Sequence, residues 1–128
     1  MTGRRLVIGS LALGVAAGLV GCGTRGALEL GKLSSSASPA RGKALIGYYG
    51  CGACHVIGGI ATANGHVGPP LTDFASRYHQ IVGVMPNTPA NLEHWIENPR
   101  KVLPRGDMPT LGIGPRGAED IASYLYGQ

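Results

Sequence analysis

The sequence predicts an all-α domain built from three to five short helices. No segment alternates polar and apolar residues in the manner of a strand. The 22 glycines and nine prolines favour short helices separated by loops. Helix-start signals recur at Ser38-Pro39, Thr88-Pro89 and Gly114-Pro115. A chain of 128 residues has room for one small domain.

The first 21 residues have the pattern of an export signal. Two arginines precede an apolar run that is too short for a comfortable membrane span. The run ends in Leu19-Val20-Gly21-Cys22, which resembles a bacterial lipobox, in which the cysteine carries the lipid. We therefore predict a lipoprotein-type signal peptide over 1–21 and lipidation at Cys22. Ordinary cleavage nearby with a free Cys22, or an uncleaved anchor, are the alternatives. The mature protein is then exported and anchored to a membrane, facing the periplasm or extracytoplasmic space.

The remaining chain divides into a flexible tether over 22–38 and a folded domain over 39–128. The tether is rich in Gly, Ser and Ala and lacks a hydrophobic period. The first helix is expected to stop at Gly50, and Asn64-Gly65 to form a turn. Thr72 is expected to cap a short helix, and Asn98-Pro99 to end the next one. The last helix places four apolar residues on one face: Ala118, Ile121, Ala122 and Leu125.

Between the first two helices lies Cys51-Gly52-Ala53-Cys54-His55, the attachment signature of a c-type haem. Two thiols at this spacing can add to the two vinyl groups of one porphyrin, and the adjacent imidazole can ligate the iron. A thioredoxin-like pair would need a βαβ frame, and a zinc site would need a second ligand pair. Neither is present in the sequence, whereas a Cys51–Cys54 disulfide remains an alternative in an oxidising compartment.

Charge gives no support for a nucleic-acid partner. The formal net charge is +4, but loss of residues 1–21 leaves nine basic and seven acidic side chains. Two haem propionates would bring the protein close to neutral, and no run of lysine or arginine is present. No acid–base dyad or nucleophile constellation stands out, so no small-molecule substrate is expected.

From Pro39 to Gly127 the chain resembles the class I monohaem c-type cytochromes of bacteria. A first helix, Cys-x-x-Cys-His, Gly-Pro, Met-Pro and a closing helix follow in the family's order. The resemblance implies a small cytochrome c fold around one covalent haem, with His55 and Met108 as the metal ligands. Met85 is the competing methionine, and a histidine ligand would have to come from one of three positions: His66, His79 or His94.

The resemblance also implies three haem-binding contacts. The carbonyl of Pro69, preferred over Pro70, would accept a hydrogen bond from His55. Arg77 and Trp95 would donate to a buried propionate, although Arg77 as a surface charge and Trp95 as a core residue are equally open. Gly42 on the first helix is expected to meet Ile121 on the last.

The resemblance implies one-electron transfer, and together with the expected membrane location it suggests a quinol-oxidising complex and a terminal oxidase as redox partners. A fixed haem subunit of a larger oxidoreductase is the alternative, followed by a haem-based ligand sensor or peroxidase. Four cations could form a basic rim that steers an acidic partner, or could be scattered solvated charges: Lys43, Arg100, Lys101 and Arg105.

Overall fold

The computed structural model describes residues 37–128, so the predicted signal peptide, Cys22 and most of the tether lie outside the described residues. Within this part the chain forms five α-helices, one 3₁₀ turn and one short antiparallel ladder. The helices are α1 (Pro39–Tyr48), α2 (Phe74–Arg77), α3 (Pro89–Glu97), α4 (Pro99–Val102) and α5 (Pro115–Tyr126). The strands are β1 (Gln80–Ile81) and β2 (Met85–Pro86). None of the helices in residues 37–128 has the length and apolar character needed to cross a membrane.

Three helices begin at the positions that the sequence predicts. The Ser38 hydroxyl accepts a hydrogen bond from the backbone N–H of Arg41, and α1 begins at the next residue, a proline. At the start of α3 the Thr88 hydroxyl likewise accepts a hydrogen bond from the backbone N–H of Asn91. Gly114 precedes α5, which also begins with proline. All three helices therefore begin with a proline, and α1 and α3 also have a side-chain cap.

The first and last helices cross at close range. A side chain on Gly42 would overlap the backbone of Asp120 and Ile121, so glycine is required for this approach. Ile46 of α1 and Ile121 of α5 are both buried in the same apolar core. The expected contact between Gly42 and Ile121 is therefore present.

The mostly helical domain also contains one short antiparallel ladder, in residues 80–86, which the sequence analysis does not predict. Ile81 pairs with Met85 and Gln80 with Pro86, and the turn between them contains Val82 and Gly83, both with positive φ. The ladder is only two residues long in each strand, too short to show an alternating pattern in the sequence.

Two smaller expectations need correction, and one that is confirmed needs an addition. Asp73, with a left-handed φ of 54°, precedes α2 instead of Thr72. Asn64 pairs with Val56 in an isolated antiparallel bridge rather than forming a turn with Gly65. Asn98 ends α3 as expected, but a further one-turn helix, α4, begins directly at the following proline.

A buried carboxylate joins the beginning of α1 to α5. Asp120 is 2% exposed and accepts hydrogen bonds from the backbone N–H of Ser38 at 2.7 Å and from Arg41 Nε at 2.8 Å. A second Arg41 nitrogen lies 2.9 Å from the other carboxylate oxygen. These contacts hold the pKa of Asp120 below its usual range, with the Arg41 hydrogen bond as the largest cause.

Candidate haem site

The two cysteines lie on a single turn at the end of α1. Gly50 has a left-handed φ of 68°, which ends the helix and starts the 3₁₀ turn Cys51–Ala53. The backbone N–H groups of Cys54 and His55 both point to the Cys51 carbonyl, at 3.2 and 3.1 Å. Neither thiol is in a disulfide, and burial raises the pKa of the Cys51 thiol.

His55 is oriented by the loop that follows it. Its Nδ1 lies 2.7 Å from the carbonyl oxygen of Pro69. A carbonyl oxygen can only accept, so Nδ1 carries a proton, and in the neutral ring Nε2 has the lone pair. This is the tautomer that a metal-ligating histidine needs.

Gly68 is packed directly against that ring. A side chain built on Gly68 would overlap the His55 imidazole, so the loop can approach only because residue 68 is glycine. The Gly68 N–H donates to the Cys54 carbonyl at 2.8 Å, which ties the loop to the cysteine turn.

A hydrogen-bond network that the sequence analysis does not predict also supports this loop. The hydroxyl of Tyr78 donates to the carbonyl of Pro70 at 2.8 Å, next to the carbonyl that receives His55. Asn87 Nδ2 donates to the carbonyl of Tyr78 at 2.8 Å, and the Tyr126 hydroxyl donates to Asn87 Oδ1 at 2.6 Å. The network thus runs from the last helix to the proline loop. No signal in a single sequence identifies it, because its members are far apart in the chain.

Both candidate methionine ligands are half-buried and pack against the core. Met85 belongs to β2. Met108 lies in the loop between α4 and α5, which is anchored by buried Ile113 and by the hydrogen bond from Gly106 N–H to Leu103 O at 2.9 Å. The three competing histidines are all exposed: His66, His79 and His94.

The two predicted propionate donors have different environments. Arg77 is exposed, and its Nε donates to the carbonyl of Thr72 at 3.0 Å. Trp95 is 8% exposed and belongs to the core. Within residues 37–128 the indole N–H of Trp95 has no hydrogen-bond acceptor. Every fully buried polar side-chain atom in this part of the chain has a partner, so the Trp95 N–H is not among the fully buried atoms. The Trp95 N–H therefore remains accessible to an acceptor.

The donor set fits a c-type haem. Two free thiols lie on one turn, and the Nδ1 of the next residue, His55, is held by a carbonyl oxygen, which leaves Nε2 as the ligand nitrogen. Within the described residues no group of three or more His, Cys, Asp or Glu side chains could hold a metal ion by itself. An iron here would take four of its ligands from the porphyrin, and His55 would supply one from the chain.

A small, mostly helical domain with this cysteine turn and this histidine orientation defines a c-type cytochrome. The sequence model of the cytochrome c family matches residues 39–127, so the chain belongs to that family, whose members carry a covalent haem c with iron. The family carries out haem-based electron transfer. The predicted fold class and cofactor are thereby confirmed.

One curated relative is the cytochrome c oxidase subunit 2 of Alkalihalophilus pseudofirmus. The two sequences are 35% identical over 76 residues, which cover 59% of this chain. The match spans 21% of the relative's length. No solved structure matches this chain significantly.

Proposed function

We propose that the protein is a class I monohaem cytochrome c that carries single electrons, with His55 and Met108 as axial ligands. Cys51 and Cys54 would hold the porphyrin through thioether bonds. The observation that carries the proposal is the His55–Pro69 hydrogen bond, because it makes Nδ1 the donor and leaves Nε2 of the neutral ring as the nitrogen that can bind iron, one residue after the free thiol of Cys54. When bound, the haem supplies the exchange between ferric and ferrous iron.

The chain's own residues hold the first ligand and limit its movement. The Pro69 carbonyl fixes the ring plane and the tautomer of His55, and Gly68 closes one side of the ring. A ligand held in this way needs little rearrangement when the charge on the iron changes. The ligand therefore reorganises little at each electron transfer, which suits an electron carrier.

Met108 is preferred as the second ligand for three reasons. It is half-buried, its loop is anchored at both ends, and its Met-Pro position corresponds to the ligand position in the resembling family. The histidines would each have to move from the surface into the core. A thioether ligand favours ferrous iron and raises the reduction potential.

Arg77 and Trp95 are proposed as donors to a haem propionate. The accessible Trp95 N–H supports this role for Trp95. For Arg77 the Nε is already used by the Thr72 carbonyl, which would leave the terminal nitrogens for the propionate. Charge-assisted hydrogen bonds of this kind would stabilise a carboxylate in an apolar pocket.

The ligands are tested by absorption spectra of the oxidised and reduced holoprotein. We expect a c-type reduced spectrum, and a weak far-red ferric band that disappears in Met108→Ala and persists in the matched variant Met85→Ala. Native ferrous protein should not bind carbon monoxide, whereas Met108→Ala should. A far-red band that survives Met108→Ala would contradict Met108 ligation, and absence of haem would contradict the whole proposal.

We also propose that Cys22 carries a lipid and that the exported domain works at the outer face of a membrane. Its partners would be a quinol-oxidising complex as donor and a terminal oxidase as acceptor. Cys22→Ser should move the protein from the membrane fraction to the soluble fraction while leaving the haem spectrum unchanged. Reconstitution of the lipidated protein with the two complexes should give turnover, and no turnover would rule out these partners.

A fixed haem subunit of an oxidase is the second candidate. It is favoured by the similarity to part of a cytochrome c oxidase subunit 2. Mild detergent extraction distinguishes the two proposals. A shuttle should be recovered alone, whereas a fixed subunit should co-purify in constant proportion with an oxygen-reducing complex.

A further inference from the structure

Backbone hydrogen bonds fix both ends of the loop that contains Pro69 and Pro70. The Gly68 N–H donates to a carbonyl of the cysteine turn at 2.8 Å, and the Leu71 N–H donates to the Val56 carbonyl at 2.7 Å. The two prolines between these contacts have no N–H to donate, and their rings fix φ at about −65°. The direction of the Pro69 carbonyl therefore depends on few free torsions.

One side chain, the hydroxyl of Tyr78, also fixes this loop. It donates to the Pro70 carbonyl at 2.8 Å. That carbonyl shares a peptide plane with the Leu71 N–H, so both polar groups of the plane are bonded. The Pro69 carbonyl, which accepts the hydrogen bond from His55, belongs to the preceding plane. Because the Pro70 ring fixes φ, one free torsion joins the two planes, and holding the second plane restricts the first.

Asn87 in turn holds Tyr78. Its Nδ2 donates to the Tyr78 carbonyl at 2.8 Å and to the Phe74 carbonyl at 3.3 Å. Its Oδ1 accepts a hydrogen bond of 2.6 Å from the Tyr126 hydroxyl, so both ends of the amide are bonded. The Phe74 ring packs against both tyrosine rings, with centroid separations of 5.4 Å to Tyr78 and 6.0 Å to Tyr126. Hydrogen bonds therefore fix the backbone of Tyr78, and a ring contact fixes its side chain.

We propose that Tyr78 is a positioning residue for the axial histidine, and that Asn87 and Tyr126 act through Tyr78. This role rests on the proposed ligation of iron by His55. A short hydrogen bond from Nδ1–H makes the imidazole a more basic ligand. Since a more basic ligand stabilises ferric iron, the strength of this hydrogen bond affects the reduction potential. By holding the Pro69 carbonyl in place, Tyr78 keeps the hydrogen bond short and the reduction potential lower than a looser loop would allow.

A purely structural role for Tyr78 makes a different prediction, and Tyr124 provides the matched comparison. The Tyr124 hydroxyl donates to the Gly58 carbonyl at 2.8 Å. Both tyrosines are half-buried, and each donates one hydrogen bond of the same length to a loop carbonyl. Loss of either hydroxyl should therefore lower the stability of the fold by a similar amount. Only Tyr78 bonds to the carbonyl next to the one that accepts from His55.

The test is an optical redox titration of the full-length holoprotein in a mediator buffer of fixed potential. We expect Tyr78→Phe, which keeps the ring, to raise the ratio of ferrous to ferric protein about threefold, because the histidine becomes a less basic ligand. Tyr126→Phe should shift the ratio in the same direction by less, and Tyr124→Phe should leave it unchanged. NMR of the ferrous protein gives a second measurement. The Nδ1 proton of His55 should exchange with solvent about three- to tenfold faster in Tyr78→Phe only.

The outcomes separate the role of Tyr78 from the proposed function. A wild-type spectrum without covalent haem, or without a histidine ligand, would overturn both. With an intact wild-type spectrum, an unchanged or lower potential for Tyr78→Phe would overturn the positioning role and leave the carrier function standing. Equal shifts for Tyr78→Phe and Tyr124→Phe would overturn it as well, because any lost hydrogen bond would then suffice. If Tyr78→Phe does not yield holoprotein, Tyr126→Phe decides, and a wild-type potential for that variant overturns the role.

Discussion

At the scale of single residues, the geometry of the site depends on residue 68 being a glycine. Gly68 lies where any Cβ would overlap the His55 ring, while the neighbouring carbonyl of Pro69 holds Nδ1. The resemblance to a known family suggested the carbonyl contact. The steric reason for glycine is visible only in three dimensions.

Gly68→Ala should therefore lower the free energy of unfolding of the holoprotein by about 1–3 kcal/mol, the range for overpacking a filled site. The added methyl group must push either the loop or the imidazole away from its hydrogen bond. Urea unfolding followed by haem absorbance measures the change. Val67→Ala serves as the control, since it alters an exposed neighbour without entering the ring. Equal stability of Gly68→Ala and wild type would contradict the close packing.

A second residue-scale feature is the strained turn of the hairpin. Val82 has a φ of 45°, a left-handed conformation that costs a β-branched residue energy, and it is followed by Gly83 at 73°. Two consecutive positive φ values are typical of turns that favour Asn-Gly.

Val82→Asn should thus raise the free energy of unfolding by about 1 kcal/mol, because asparagine tolerates the left-handed region. Val84→Asn is a suitable comparison, as Val84 lies in the same turn without a positive φ. Thermal unfolding monitored by circular dichroism should show a higher midpoint for Val82→Asn only. A lower midpoint for Val82→Asn would mean that the valine side chain stabilises the turn.

At the scale of elements, the sequence predicts those features that depend on neighbouring residues. The starts of α1, α3 and α5 follow from a capping residue and a proline that are adjacent in the chain. The cysteine turn is equally local. The crossing at Gly42 could also be anticipated, because the spacing of small and apolar residues was already known from the resemblance.

Features that depend on distant partners were not predicted. No pattern in the sequence singles out Asp120, which is buried because Arg41 and the Ser38 N–H donate hydrogen bonds to it. The hairpin at 80–86 has two residues in each strand, too few for a periodic signal. Asn87 connects Tyr126 to Tyr78 across segments that are unrelated in sequence.

The hydrogen bonds of Asp120 make the stability of the contact between α1 and α5 depend on pH. Since the folded state holds the pKa of Asp120 below the unfolded value, its stabilisation is present above about pH 4 and is lost as the pH falls through the folded-state pKa. Asp120→Asn should cost about 1–3 kcal/mol at neutral pH, and the difference from wild type should shrink in acid.

Urea titrations between neutral and acidic pH test this expectation. Glu119→Gln is the matched control: it changes an adjacent acid whose ion pair with Arg116 is at the surface, so its effect should stay below about 0.5 kcal/mol. If the stabilities of Asp120→Asn and wild type differed by the same amount at every pH, the carboxylate would not be the source of the pH dependence.

At the scale of the whole molecule, the apolar core is small for the length of chain it must order. Within residues 37–128 it consists of thirteen buried hydrophobic residues, and three of them are alanines. Phe74 and Trp95 are the only large non-tyrosine aromatic side chains in the sequence. Several further apolar residues are only partly buried around the core, among them Leu71, Met85, Leu103, Met108 and Leu111. Domains of this size often depend on a cofactor or cross-link for stability.

The double variant Cys51→Ala, Cys54→Ala should therefore lose its cooperative unfolding transition, because the polypeptide alone cannot bury enough apolar surface to offset the entropy of ordering it. Circular dichroism during thermal unfolding distinguishes a cooperative transition from a gradual one. Cys22→Ser, which keeps both haem cysteines, should melt like wild type. A sharp transition of the double variant near the wild-type temperature would show that the polypeptide core suffices, and that the covalent haem is needed for electron transfer but not for the fold.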